Sequence, residues 1–305
     1  AGTYYMGLKK DQFINKNANF DVIFKVTEDG KMVINPIDVT VTVVGNSSTL
    51  PYDGTAHTVT GYTATASSTL YDVDANIKLN GAATAAQTDA GTTWMGLTKD
   101  KFTNNNTNFS TVTFEVTDGY QKIETITAKV TITEHSDDVD YDGAEHTVTG
   151  YDVTKISTPL YTASDFTFSG NDSVSGTNAT SYDMELTADD FTNKNKNFEN
   201  VEFEIVDGQL VINPIDVTVT ITEKSAEVDY DGKEHTVSGY DVTSISNPLY
   251  TEADFTFSGN VRASVTKTNA GTYNMELTAD DFANQNSNFA NVTFTIVDGK
   301  LVIKP

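Results

Sequence analysis

Along VTVTIT at Val217, TYNMEL at Thr272 and VTFTIV at Val292, apolar and polar residues alternate one for one. Successive side chains leave a strand on opposite sides, so a period of two marks a strand with one buried face. Val217, Val219 and Ile221 therefore point inward and the threonines beside them outward. Such runs are punctuated by Asp-Gly pairs at Asp29, Asp53, Asp118, Asp142, Asp207, Asp231 and Asp298. Asp-Gly between alternating runs favours tight turns, and the pattern predicts sets of β-hairpins. The one helical signal is LTADDF at Leu186 and Leu277, where Thr187 or Thr278 is placed to cap a turn or two. The predicted class is mainly β, with one short helix per module.

The pattern also repeats. YDGKEHTVSGY at Tyr230 is written earlier as YDGTAHTVTGY at Tyr52 and YDGAEHTVTGY at Tyr141, with 89 residues between successive copies. A catalytic site is built once per fold, whereas a turn that every module needs is built once per module, so the stretch marks a tandem array. AGTYYMGL at Ala1 recurs at Ala90, Ala179 and Ala270, which makes residues 1–36 the C-terminal half of a preceding repeat. Complete repeats then occupy 37–125, 126–214 and 215–305. Their joints read INPIDV at Ile34 and Ile212 and IETITA at Ile123; the prolines stiffen two of them, and Thr125 makes the middle one softest. Residues 139–171 and 228–260 agree at 27 of 33 positions, which points to recent duplication. Small modules of about 89 residues in a row predict an elongated rod, with a radius of gyration above about 30 Å rather than the roughly 19 Å of a compact globule.

Composition narrows the function. The chain has no cysteine, so packing and sheet hydrogen bonds must hold each module, and neither a disulfide framework nor a Cys-type zinc site is available. A net charge of −24, from 43 acidic against 19 basic residues, repels phosphate backbones and anionic lipid heads. Nucleic acid is thereby a poor partner, and no apolar run approaches the roughly 20 residues that span a bilayer, so the segment is expected not to insert into membrane. Residue 1 opens no signal peptide, which places any signal or anchor outside this segment.

YDG, then HTV and GY, PLY with DFTFSG, NAGTY, a DF–N–N–NF segment and a final VDG–LVINP together resemble the MBG-type tandem repeats of large bacterial surface proteins. The resemblance covers nearly the whole chain. It implies extracellular display on a cell-wall-anchored or secreted adhesin-like protein, chiefly of Gram-positive bacteria, and a β-grasp-like module, with an Ig-like β-sandwich as the alternative. It brings no catalytic residues. The first repeat departs most: Pro51 replaces the aspartates at Asp140 and Asp229, and Asp72 to Asn80 replaces the DFTFSG segment.

The candidate chemistry is sparse. His57, His146 and His235 recur in register beside the turn pairs Asp53–Gly54, Asp142–Gly143 and Asp231–Gly232, with no second histidine or cysteine to complete a metal or catalytic set. These nine residues read as a structural turn. Asn-x-Asn-x-Asn before Phe20, Phe109, Phe198 and Phe289 is spaced like a calcium loop, but neutral amides are weak ligands for a hard dication, and turn-making asparagine is favoured. Asp137, Asp138, Asp140 and Asp142 are crowded enough to be a weak calcium site, against the alternative of a solvated acidic face. No other cofactor is indicated. No lysine or glutamine keeps the register that a Lys–Asn or Thr–Gln cross-link in every module requires. Phosphate loops, nucleophile elbows and a distinguished carboxylate pair are absent, so an enzyme is not expected.

Trp94 should face outward, because its neighbours Met95 and Thr93 alternate around it and the matching positions Tyr5, Asp183 and Asn274 accept polar residues. Trp94 and Tyr5 are therefore candidates for ligand or interface contact. Three functions follow from these features. The array is a passive stalk, or its modules bind host glycoprotein, mucin or carbohydrate weakly and by avidity. Lower in rank, the leading half module accepts strands from a neighbouring copy and the chain is a strand-exchanging filament subunit.

Overall fold

The computed structural model describes residues 1–305, and short strands account for nearly all of its regular structure. Packing divides it into two compact units, residues 1–128 with 195–200, and residues 129–194 with 201–305.

The last ninety residues illustrate the architecture. Strand Ile215–Glu223 lies between Phe289–Val297, which runs parallel to it, and Tyr240–Ile245, which runs antiparallel. A second sheet has the final strand, Lys300–Lys304, at its centre, parallel to Ala226–Asp229 and antiparallel to Gly271–Asn274. Two two-stranded ribbons, His235–Ser238 with Ser264–Lys267 and Phe255–Phe257 with Phe282–Asn284, complete it. The same order recurs around the central strands Ile37–Gly45 and Lys129–Glu134. Residues 1–36 contribute one ribbon, Gly2–Tyr5 with Lys31–Ile34.

Alternation translates directly into burial: Val217, Val219 and Ile221 are 3, 0 and 0% exposed. They pack with Leu277, Phe282, Phe289, Leu301 and Ile303 in one apolar core, each such side chain contributing about 1.5–3 kcal/mol of burial. Tyr250 belongs to this core, and its hydroxyl is satisfied by Asn284 Oδ1 at 3.0 Å and the Asp254 carbonyl at 3.1 Å.

One sequence expectation needs correction, and the short helical turns appear where the sequence placed them. Six of the seven Asp-Gly pairs, all but Asp29–Gly30, do not close hairpins, because the strands on either side of them belong to different sheets. Asp231–Gly232 leads from Ala226–Asp229 into the His235–Ser238 ribbon, with Gly232 at φ +78°. Asp298–Gly299 carries the chain from one three-stranded sheet to the other, and a Cβ on Gly299 would collide with the Lys224 carbonyl. A turn redirects the chain, but each flank finds a larger buried face on a distant strand than on its neighbour. The helical signal, in turn, yields single 3-10 turns at Lys99–Lys101, Ala188–Asp190 and Ala279–Asp281. Thr278 does not cap with its side-chain oxygen; the Asp281 carboxylate accepts its N–H at 2.8 Å and its hydroxyl at 3.1 Å. The only α turn, Val73–Asn76, lies where the first repeat departs from the others, and Asp72 caps it through the N–H groups of Asp74 and Ala75.

Candidate interaction site

Each Asn-x-Asn-x-Asn-Phe loop is a ladder of side-chain turns. Asn15 accepts the Asn17 N–H at 2.9 Å, and Asn17 accepts the Asn19 N–H at 3.1 Å. Asn284, Asn286 and Asn288 repeat the arrangement at 2.9 and 3.0 Å. The first amide also closes the loop by donating to the carbonyl of the phenylalanine, 2.7 Å from Asn15 to Phe20 and 3.0 Å from Asn284 to Phe289. The oxygens that a cation would need are thus engaged with backbone donors, which is the turn-making role of asparagine. Behind the loops sit buried tyrosines: Tyr71, Tyr161 and Tyr250 donate to Asn104, Asn193 and Asn284. Burial pushes the phenols of Tyr161 and Tyr250 up to about 12.

In three of the four loops the third asparagine reaches an earlier stretch of chain. In the first unit, Asn197 accepts the Ala90 N–H at 2.8 Å and donates to the Asp89 carboxylate at 3.1 Å. Lys196 stands 3.6 Å from the same carboxylate, and Phe198 meets Tyr52 edge-on with centroids 5.9 Å apart. In the second unit, Asn288 accepts the Ala179 N–H at 2.6 Å and donates to Asn178 at 3.2 Å, while Phe289 meets Tyr141 edge-on at 5.8 Å. Asn108 likewise accepts from the amino group of Ala1. The main-chain carbonyls of Asn108, Asn197 and Asn288 take the N–H groups of Ile37, Ile126 and Ile215 at 3.1–3.3 Å. Asn197 and Asn288 are only 7 and 8% exposed. The spacing of asparagines before phenylalanine revealed the loop, but nothing in it indicated what the third side chain would hold.

Buried carboxylates were missed altogether. Glu134 and Glu223 are each 3% exposed. Glu223 accepts the N–H of Leu277 at 2.8 Å and of Gly299 at 2.7 Å; Glu134 accepts those of Leu186 at 2.8 Å and Gly208 at 2.6 Å. The first repeat has Gly45 at this position, and there Asp118 takes over, accepting the N–H groups of Gly96 and Leu97 at 2.9 and 2.8 Å. Gly96 adopts φ +71°, a left-handed conformation that Glu185 and Glu276 at the matching positions do not need. MGL with an aspartate, and MEL with a buried glutamate, are two solutions to the same problem of unsatisfied backbone donors.

The recurring turns are self-contained. His57, His146 and His235 place Nε2 at 2.9, 2.9 and 2.8 Å from the carboxylates of Asp53, Asp142 and Asp231. The N–H groups of Thr55, Ala144 and Lys233 bind the same carboxylates, and Gly54, Gly143 and Gly232 all have φ +78°. These contacts lower the acids, Asp53 to about 2, chiefly through the Thr55 N–H, then its hydroxyl and His57. The four carboxylates considered for calcium do not converge. Strand alternation sends Asp137 to the face opposite Asp138 and Asp140, Asp138 accepts from Asn213, and Asp142 is held by His146; no three acidic or histidine side chains gather to hold a metal ion. Trp94 is 57% exposed, directly opposite Tyr120 across the strands and edge-on to it at 5.1 Å. Tyr5, 65% exposed, lies opposite Lys31. His135 stands apart, bonded to the Thr149 carbonyl at 2.8 Å.

No curated protein matches the chain. Among solved structures, Drosophila OTK extracellular domains 3-5 align with 11% identity over 89% of this chain and 100% of that one, at a TM-score of 0.17, too low to carry an argument about fold or function. Residues 216–305 match the family model of the MBG domain.

Proposed function

We propose that the chain is a non-catalytic, load-bearing spacer of an extracellular, adhesin-like bacterial surface protein, with repeats at 37–125, 126–214 and 215–305 and residues 1–36 belonging to a preceding one. The MBG match supports a repeat module of the extracellular type. What carries the proposal is the parallel pairing of the opening and closing strands. Ile215–Glu223 runs beside Phe289–Val297, and Ala226–Asp229 beside Lys300–Lys304. Tension entering before Ile215 and leaving after Lys304 slides these pairs past one another, so their ladder bonds must yield together. A hairpin pulled at its open end instead unzips one bond at a time. Single-molecule pulling through the chain ends is expected to give three similar events, each releasing about 320 Å of chain at roughly 3.6 Å per residue. Yielding in one step, or at the force of an unstructured linker, would overturn the spacer.

A second function is favoured by one observation, the exposed Trp94 ring packed edge-on against the half-buried Tyr120. Aromatic faces stack on sugars, and weak sites in tandem gain avidity. Binding to a glycan array or mucin that is lost in Trp94→Ala would establish adhesion; no signal at high protein concentration leaves the spacer alone.

A further inference from the structure

Asn80 is followed by Gly81, and no other asparagine in the chain precedes a glycine. The side-chain amide carbon of an asparagine lies within reach of the next residue's main-chain nitrogen, and attack by that nitrogen closes a small cyclic imide. A Cβ on the next residue hinders the attack. So does a hydrogen bond that holds either group in place.

The fold leaves this pair open. The chain is pinned on both sides of it, the Asn80 N–H donating to the Lys101 carbonyl at 2.8 Å and the Ala83 carbonyl accepting the Gly61 N–H at 2.9 Å. Between the pins Asn80, Gly81 and Ala82 are exposed, and no atom lies within 4 Å of where a Cβ on Gly81 would stand. Gly81 has φ +113°, which glycine adopts without a steric penalty. Neither the Asn80 side-chain amide nor the Gly81 N–H is engaged in a hydrogen bond within the chain.

The other repeats close the same corner. Ser169–Gly170 and Ser258–Gly259 occupy it there, with the serine N–H groups on the carbonyls of Asp190 and Asp281 at 2.9 Å. A Cβ on Gly170 would meet the Asp190 side chain at 2.7 Å and one on Gly259 the Asp281 side chain at 2.8 Å, so both glycines are packed, and serine has no amide to lose. Asparagines with small successors elsewhere are held. Asn46 donates its amide to the Thr60 carbonyl at 2.8 Å, and Ala179, which follows Asn178, gives its N–H to Asn288 at 2.6 Å.

We propose that Asn80–Gly81 is a self-modification site, at which Asn80 converts to aspartate and isoaspartate with water as the only co-reactant. The Gly81 nitrogen bonds to Cγ of Asn80, the Cγ–Nδ2 bond breaks, and Nδ2 leaves as ammonia with the proton that Gly81 gives up. Water then opens the imide. Breaking the new N–Cγ bond leaves aspartate, whereas breaking the bond from nitrogen to the main-chain carbonyl carbon leaves isoaspartate. The second product lengthens the main chain by one methylene in the link from strand Ile77–Leu79 to strand Thr84–Gln87, and either product adds a negative charge to the first repeat alone. The site is independent of the spacer role.

Incubation of the full chain in mildly alkaline buffer, followed by peptide mass mapping, is the test. The peptide holding Asn80 should exchange ammonia for water at least about tenfold faster than any other asparagine peptide, and an isoaspartyl methyltransferase should label it. Mildly acidic buffer should slow the conversion, because the attacking nitrogen must lose its proton. Asn80→Ser, which gives the first repeat the residue that the others carry, should abolish the label. The urea-unfolded chain supplies the rate without a fold: a native rate within about tenfold of it supports an open corner, and a slower one overturns the proposal. Conversion spread evenly over the asparagines, or a label that persists in Asn80→Ser, overturns it as well.

Discussion

Replacing Glu223 by glutamine tests whether the buried carboxylate closes its repeat. The side chain is 3% exposed and accepts two backbone N–H groups, from Leu277 at 2.8 Å and Gly299 at 2.7 Å. Glutamine keeps one acceptor and turns an NH₂ toward the other donor, so one charge-assisted bond is lost and one buried N–H is orphaned. A bond to a charged group and an unsatisfied buried donor are each worth about 1–3 kcal/mol, and we expect a loss of about 2–4 kcal/mol in the third repeat. Glu223→Ala orphans both donors and should cost more. Hydrogen exchange of the intact chain resolves the effect: a loss of about 2 kcal/mol speeds exchange at Leu277 and Gly299 roughly thirtyfold, while Leu186 and Gly208, held by Glu134, serve as an internal reference. Exchange at Leu277 and Gly299 that is unchanged in Glu223→Gln would refute the argument. The converse substitution sharpens it. Gly45→Glu should not transplant the device into the first repeat, because a Cβ there would collide with the backbone of Gly119.

The turn carboxylates give a pH signature. Asp53 is held down to about 2, and Asp142 and Asp231 are lowered chiefly by the N–H groups of Ala144 and Lys233. A depressed carboxyl stabilises the fold above its unfolded value of about 3.8, and that contribution fades as pH falls toward the folded value. Carbon NMR titration should therefore find midpoints below the ordinary aspartate range, and ordinary midpoints would show that the turns are not closed as described. Trp94→Ala should cost no more than about 1 kcal/mol, the worth of one edge-on aromatic contact, and Trp94 should emit at the red edge; blue-shifted, quencher-resistant emission would contradict its exposure. Added calcium should leave every melting temperature unchanged, since Asp137, Asp138, Asp140 and Asp142 do not converge; an increase confined to the second repeat would mean that they do.

Much of the fold could be read from the chain because its signals are local. Val217, Val219 and Ile221 declare a buried face by alternation, and the Tyr52, Tyr141 and Tyr230 stretches declare the period. Pairing is not local. Asp298–Gly299 looks like a hairpin turn from its flanks, but what decides its role is the approach of the Lys224 carbonyl, from a residue more than seventy positions away in sequence. Glu223 escaped notice for the same reason: at the end of VTITE it reads as a solvated polar position, and only the third dimension brings two unsatisfied N–H groups to it. The asparagine loops were half legible, since asparagine spacing predicts the loop and says nothing of Asn178 or Asp89, which lie more than a hundred residues away.

The pairing of opening with closing strands also sets when a repeat can form. Ile215–Glu223 is made early and must wait for Phe289–Val297 before its parallel neighbour exists, and Ala226–Asp229 has no sheet until Lys300–Lys304 arrives. Non-local parallel pairing is slow to nucleate, because a long loop must close before any contact rewards it. A chain emerging from the ribosome or from an export channel therefore cannot lock a repeat behind itself until that repeat's last residues are free. Each repeat stays threadable until it is complete and closes only afterwards, which is the order of events that passage through a narrow pore requires.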